Sequence, residues 1–188
     1  MCGMQPRFGG RLGAWLCSPI GTHEFLNVRT YVRHRGEPGI CFLREWLSNA
    51  LCVKLGPVAY GLPYRLASIR YEHRHEKRGL QGEVESRGAG RFCYESRVAA
   101  EEFAACEAGS LDEFLLERYT AFTCHKTKRR FFRIWHEPWK QSEIEVSLSG
   151  TDLLARTFPW FARAELVGAN YSPGVKQVWM GWPHAFGG

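Results

Sequence analysis

Ala67-Ser68-Ile69-Arg70-Tyr71-Glu72-His73-Arg74-His75-Glu76 alternates without a break. Ala67, Ile69, Tyr71, His73 and His75 fall on one side; Ser68, Arg70, Glu72, Arg74 and Glu76 fall on the other. A period of two marks a strand with one face on a core and one on solvent. Lys77-Arg78-Gly79 reads as a turn. Gln81 to Ser86 and Arg91 to Val98 read as the next two strands, joined by Arg87-Gly88-Ala89-Gly90. Three strands in succession with short links make a meander, so the fold is expected to be mainly antiparallel.

Upstream, Phe25 to Arg33 is a further strand. Leu26, Val28, Thr30 and Val32 form its apolar side, which should meet the core. Phe25, Asn27, Arg29 and Tyr31 then share the other side, on solvent or in a polar cavity. Glu37-Pro38-Gly39 is expected to turn the chain into a second strand, Ile40 to Trp46. Ser48 or Asn49 can cap a short helix through Leu55, stopped by Gly56-Pro57. Downstream, Ser110-Leu111-Asp112-Glu113 is a capping box that opens a helix running through Phe114, Leu115 and Arg118. Lys126 to Arg130 reads as a hairpin turn before the strand Phe131 to His136, and Ile144, Val146 and Leu148 alternate in another strand. Thr151 can cap a one-turn helix, and Glu165 to Tyr171 with Val175 to Trp179 form a closing hairpin.

The chain of 188 residues fits one domain, 1–188, with residues 1–21 glycine-rich and irregular. It is 45% hydrophobic and 14% aromatic, enough for a real core. The net charge of +6 invites a nucleic-acid reading, but the basic residues are spread along the whole chain. The densest run, Lys126-Thr127-Lys128-Arg129-Arg130, is short and lies between apolar segments, as a solvated turn does. Nucleic acid is therefore not an expected partner. No stretch approaches the roughly 20 apolar residues of a membrane span, and a cytoplasmic location is the default. The seven cysteines include no Cys-x-x-Cys pair, which argues against disulfides and structural zinc and for small buried hydrophobes.

Few residues carry obvious chemistry. His73-x-His75 has the spacing of a two-histidine metal site on a strand, but nothing at suitable spacing supplies a third ligand. The plain reading is two histidines at a strand end; no metal and no cofactor is expected. Glu117-Arg118-Tyr119 is either a buried ion pair aiming Arg118 at an anion or a helix-end charge cluster in solvent. His136-Glu137-Pro138-Trp139 either lines a pocket or sets a core tryptophan beside a turn. Glycine-rich phosphate loops, the serine-hydrolase elbow and His-Glu-x-x-His are all missing from the sequence. Lys54, the main candidate for a desolvated amine, should lie on the outer face of its helix.

Glu24-Phe25-Leu26-Asn27-Val28-Arg29-Thr30-Tyr31-Val32, Gly39 to Phe42, Leu62-Pro63-Tyr64, Ser110 to Tyr119 and His136-Glu137-Pro138-Trp139, in that order, resemble the bacterial family called domain of unknown function 2071. The resemblance runs from about Met4 to Pro183. That family is grouped with acetoacetate decarboxylase. The resemblance implies an α+β fold of mainly antiparallel strands, curved into a cone or partial barrel around a pocket, with two or three short helices. In the decarboxylase a lysine after a proline forms a Schiff base and a neighbouring lysine activates it. The matching segment here is Leu62-Pro63-Tyr64-Arg65, which puts Tyr64 and Arg65 at the two lysine positions. Neither can form an imine. Asn27 falls near the position of a carboxylate. Members of the family begin some tens of residues earlier, so a shortened homologue or incomplete gene product with an open sheet edge is also expected.

The favoured expectation is a pocket that binds, and by extension converts, a small anionic or carbonyl-bearing molecule. Asn27, Arg29, Tyr31, Tyr64, Arg65, Arg118, His136 and Trp139 are its candidate residues, since arginine holds carboxylates and tyrosine donates to oxyanions. The alternative is a non-enzymatic interaction domain whose sheet edge pairs with a second copy or another partner.

Overall fold

The computed structural model describes residues 24–74, 79–98, 102–175 and 178–187. In chain order it runs β1 (Phe25–His34), β2 (Glu37–Leu47), α1 (Ala50–Ala59), β3 (Tyr64–Leu66), β4 (Ser68–Arg74), β5 (Gly79–Ser86) and β6 (Gly90–Arg97). There follow β7 (Ala104–Ala105), α2 (Leu111–Leu116), β8 (Thr120–His125), β9 (Lys128–His136), β10 (Lys140–Glu143) and β11 (Glu145–Gly150). The described chain closes with α3 (Asp152–Thr157), a 3-10 helix at Pro159–Arg163, β12 (Asn170–Tyr171), β13 (Val178–Met180) and β14 (His184–Ala185). The expected mainly antiparallel α+β class is what these elements form. The irregular segment expected at 1–21, the Lys77-Arg78 turn, His75, Cys2 and Cys17 lie outside the described residues.

The chain divides into two compact units. Unit 1 takes in residues up to Leu66, Cys106–Trp139 and Gly174 onward. Its sheet has the order β1-β2-β8-β9-β13, with β3 added on β2 and β14 on β9. The β1–β2 hairpin turns at Arg35-Gly36, not at Glu37-Pro38-Gly39. Both turn residues have positive φ (50° and 83°), the two-residue turn whose twist matches the strands, so Glu37 pairs with His34 inside the ladder. Gly39 lies in the strand, where a side chain would stand 2.6 Å from the Thr120 carbonyl oxygen.

α1 is capped by Asn49, whose Oδ1 accepts from the amides of Leu51 (2.9 Å) and Cys52 (3.1 Å). It does not stop at Gly56-Pro57. Pro57 removes one amide donor, but its carbonyl and that of Gly56 accept from Gly61 and Tyr60, so the helix runs to Ala59. Lys54 is exposed on it, as expected. The capping box forms with a shift: Ser110 Oγ accepts from the Glu113 amide at 3.1 Å, while Glu113 reaches back to the Gly109 amide at 2.7 Å. α2 ends at Leu116, so Arg118 lies beyond it. The core of unit 1 gathers Ile40, Leu47, Cys52, Leu62, Tyr64, Ala121 and Phe132.

Unit 2 covers Ala67–Ala105 and Lys140–Pro173. Its sheet, β11-β6-β5-β4, is the expected meander with β11 added. The alternation of Ile69 (buried) against Arg70 and Glu72 (exposed) holds. Gly82 lies under the ring of its cross-strand partner Tyr94, 2.1 Å from where a β-carbon would sit. Among the described residues the closing hairpin is not formed. β12 pairs with β10 in unit 2, and β13 pairs with β9 in unit 1. Thr151 precedes α3 without a side-chain cap bond. Of the five described cysteines, none in a disulfide, only Cys52 is buried and Cys124 is exposed, so most are not core hydrophobes.

Candidate functional site

A bulge in β2 decides which side chains meet. Opposite β1, Arg44 pairs with Val28 and Phe42 pairs with Arg29, so Leu43 is skipped. The skip turns Glu45 and Leu47 onto the same face as Phe42 and Ile40. Asn27 on β1 stands directly across from Glu45, and Glu45 stands beside Tyr64 of the parallel strand β3. Asn27, Glu45 and Tyr64 thus make one polar row across three strands. The face that carries them is the core face: Phe25, Tyr31 and Phe42 pack against the central cluster. The expectation put Leu26, Val28, Thr30 and Val32 inward instead; that face is covered too at Leu26, Val28 and Val32, which are half-buried, and Trp46 opposite Leu26 is buried. Thr30 is exposed. Periodicity ranks faces by apolarity and cannot see that Arg29 and Tyr31 find partners inside.

Those partners come from α2. The Leu115 carbonyl accepts from Arg29 Nη2 at 2.8 Å and from the Tyr31 hydroxyl at 2.9 Å. The rings of Tyr31 and Phe114 lie 4.9 Å apart, the Arg29 guanidinium is 5.7 Å from the Tyr31 ring, and that of Arg118 is 4.3 Å from Phe114. Two cations thus bracket two rings tilted against each other. On the other flank α1 presses on Tyr64: a β-carbon at Gly56 would stand 2.3 Å from its ring.

Glu45 is 6% exposed and Tyr64 is 7% exposed. Burial pushes the Glu45 carboxyl from its ordinary 4.5 up to about 8, with the positive charge of Arg29 pulling the other way. Burial, helped by Glu45, also raises Tyr64, which stays a phenol. Glu45 Oε2, Arg118 Nε and Arg130 Nη1 are buried without a hydrogen-bond partner among the described residues. Native proteins rarely leave such atoms unpaired, because each forfeits its water without replacement.

A second cluster gathers at the end of β9. The Glu117 carboxylate accepts from the Trp139 amide at 2.8 Å and from the Tyr119 hydroxyl at 2.5 Å. Arg118 donates to the Glu117 carbonyl, not to its carboxylate, so no ion pair within Glu117-Arg118 aims the guanidinium. The His136 side chain is 4% exposed and stacks on Tyr119 at 4.8 Å. Its Nε2 accepts from Trp139 Nε1 at 3.3 Å, and its Nδ1 lies 2.8 Å from the Glu137 carbonyl oxygen. An indole N–H can only donate and a carbonyl can only accept, so these partners assign a neutral ring with the hydrogen on Nδ1. Both ring nitrogens are occupied.

Of the sequence candidates, Asn27, Arg29, Tyr31 and Tyr64 share one face, and Arg118 joins them through Phe114. His136 and Trp139 bind each other around Glu117. Arg65 is not brought in: it pairs beside Trp46 on the opposite face, is exposed, and donates to the Tyr64 carbonyl. Sequence reasoning missed Glu45. Its signal was a charged pair, Arg44-Glu45, inside an apolar strand, which strict alternation would have turned away from Phe42. In unit 2, His73 bonds the Tyr94 hydroxyl at 2.9 Å. A groove of about 620 Å³ there is lined by Glu72, Gln81, Glu95, Arg97 and Glu145 among others, a charge-mixed surface.

A mainly antiparallel sheet with short helices on its core face is the fold of acetoacetate decarboxylase-like proteins, and solved structures of that class match this chain. The Legionella pneumophila acetoacetate decarboxylase aligns with TM-score 0.60 at 12% identity, over 89% of this chain and 68% of its own. An acetoacetate decarboxylase-like enzyme from Sphingomonas wittichii aligns with TM-score 0.57 at 16% identity, over 90% and 70%. The enduracididine biosynthesis enzyme MppR, in complex with pyruvate, aligns with TM-score 0.53 at 12% identity, over 93% and 66%. Identities this low carry the fold and nothing more. Residues 11–176 match the DUF2071 family, described as an uncharacterized conserved protein, and this chain belongs to that family. It is 31% identical over 137 residues to the uncharacterized protein YqjF of Bacillus subtilis, covering 71% of this chain. It spans 56% of that relative's length.

Proposed function

We propose that the core face of unit 1 binds a small molecule bearing a carboxylate or carbonyl group, and that it does so without an amine nucleophile. The observation that carries this reading is the unpaired Glu45 Oε2, buried in a row with Asn27 and Tyr64 and under the charge of Arg29. Arginine favours an anion, while the phenol and the amide offer hydrogen-bond donors. Lys54, Lys126, Lys128 and Lys140 are all exposed, and the segment that resembles the decarboxylase lysine positions carries Tyr64 and Arg65. Imine chemistry therefore has no support among the described residues.

The test is saturation-transfer NMR and thermal shift with pyruvate, acetoacetate, 2-oxoglutarate and acetate. Binding of at least one is expected, weakened at least tenfold by Tyr64→Phe or Asn27→Ala. Borohydride added to a ligand-saturated sample should leave the protein mass unchanged. No response from wild type to any of the four, or a trapped adduct, overturns the reading.

A further inference from the structure

We propose that Glu45 is the hydrogen-bond donor to an oxygen of the bound ligand, so that a monocarboxylate enters this site together with one proton. This rests on the reading above and assigns the proton within it.

The geometry leads to it in three steps. Glu45 Oε2 is buried and unpaired, in a residue that is 6% exposed. An ionised carboxylate there would be an acceptor with no donor, which is costly. A neutral carboxyl has one O–H to give and needs an acceptor. Next, no group around it pairs with Oε2, the cross-strand Asn27 amide included. Arg29 Nη2 is directed to the Leu115 carbonyl, and burial keeps Tyr64 a phenol, whose own hydrogen seeks an acceptor. The missing partner is therefore an acceptor oxygen brought from outside. Finally, charge decides the protonation state. An anion next to an ionised Glu45 would meet a second negative charge at low dielectric; next to a neutral Glu45 it keeps the attraction of Arg29 and gains the O–H. Binding thus pulls a proton from solvent onto Glu45.

The other titratable groups on this face do not compete. β1 contributes Arg29 and Tyr31, β3 contributes Tyr64, and α1 contributes Cys52 with Tyr60 just beyond it. Arg118 follows α2, and β9 carries Arg130 and His136. Burial raises Cys52, Tyr60 and Tyr64, and arginine stays charged. His136 has both ring nitrogens occupied.

The experiment is titration calorimetry with pyruvate and acetate from pH 6 to pH 9, in buffers of different ionisation heat. Expected are uptake of close to one proton at pH 9, almost none at pH 6, and affinity about tenfold weaker at pH 9 than at pH 6. Glu45→Gln keeps an N–H donor at the same place, so it should bind with an affinity that no longer changes over this range. Should that variant not fold, the buffer dependence of wild type alone decides the matter. Ligand binding without proton uptake at pH 9 overturns this inference and leaves the binding reading intact. The same holds if ethylammonium binds more tightly as pH rises, the mark of an ionised Glu45 receiving a cation. Absence of any binding at pH 6 overturns the binding reading and this inference with it.

Discussion

Asn27 and Glu45 face each other across the β1–β2 ladder, on the sheet face that packs against the core. Glu45 has the Asn27 amide as its cross-strand neighbour. Tyr64 of β3 is the next side chain in the row. The row therefore holds a carboxyl, an amide and a phenol, and no amine.

That burial has a consequence for stability. An acid whose pKa is raised on folding binds protons more tightly in the native state, so it stabilises at low pH and the gain is lost as pH rises through the native value. For Glu45 the window runs from about 4.5 to about 8. The loss approaches about 1.4 kcal/mol per pH unit in that window, on the order of 5 kcal/mol in all. Urea unfolding at pH 5, 7 and 9 should show Glu45→Gln gaining on wild type at each step. Parallel pH profiles would mean that Glu45 is solvated in the native protein.

Part of this was legible in the sequence. β5, β6 and the alternation of β4 follow from period two alone, and the Asn49 and Ser110 caps follow from side-chain chemistry. The site was only half legible. Asn27, Arg29 and Tyr31 could be placed on one face, but not which way that face points, because Arg29 and Tyr31 find their partner in the Leu115 carbonyl, 86 and 84 residues away. Glu45 was hidden by the skip at Leu43, a register shift visible only in the pairing with β1. Arg65 was misplaced for a related reason: strand parity separates it from Tyr64, whatever the sequence neighbourhood suggests.

The Leu115 carbonyl takes two donors from β1, so each can be probed separately. Tyr31→Phe removes one hydrogen bond of 2.9 Å and keeps the ring on Phe114. The carbonyl keeps Arg29, so the expected cost is about 1 kcal/mol in chemical denaturation. Phe114→Ala should cost more, about 2 kcal/mol, because it removes the ring that both Tyr31 and Arg118 pack against. Equal effects would indicate that the hydroxyl, not the ring packing, holds α2 to the strand.

Arg35 carries φ of 50° in the two-residue turn between β1 and β2. Arginine is strained there, whereas asparagine tolerates that region and asparagine-glycine favours this turn. Arg35→Asn should therefore stabilise the protein by about 0.5–1 kcal/mol, read as a higher urea midpoint at unchanged slope. A lower midpoint would show that the Arg35 side chain makes a contact worth more than the strain.

Gly56 lies on α1, where the Tyr64 ring occupies the space a side chain would need, 2.3 Å from the β-carbon position. On propensity alone, alanine in a helix interior should gain about 1 kcal/mol over glycine. Packing opposes that gain, since the ring must move and Tyr64 is held in the core beside Glu45. The steric term is expected to win, with a net loss of about 1–3 kcal/mol. Because the displaced ring belongs to the polar row, Gly56→Ala should also weaken pyruvate binding, and Gly56→Ala with Tyr64→Phe should lose little beyond Tyr64→Phe alone. If Gly56→Ala stabilises the protein and leaves binding unchanged, α1 does not press on Tyr64, and the row is not held in place by the helix.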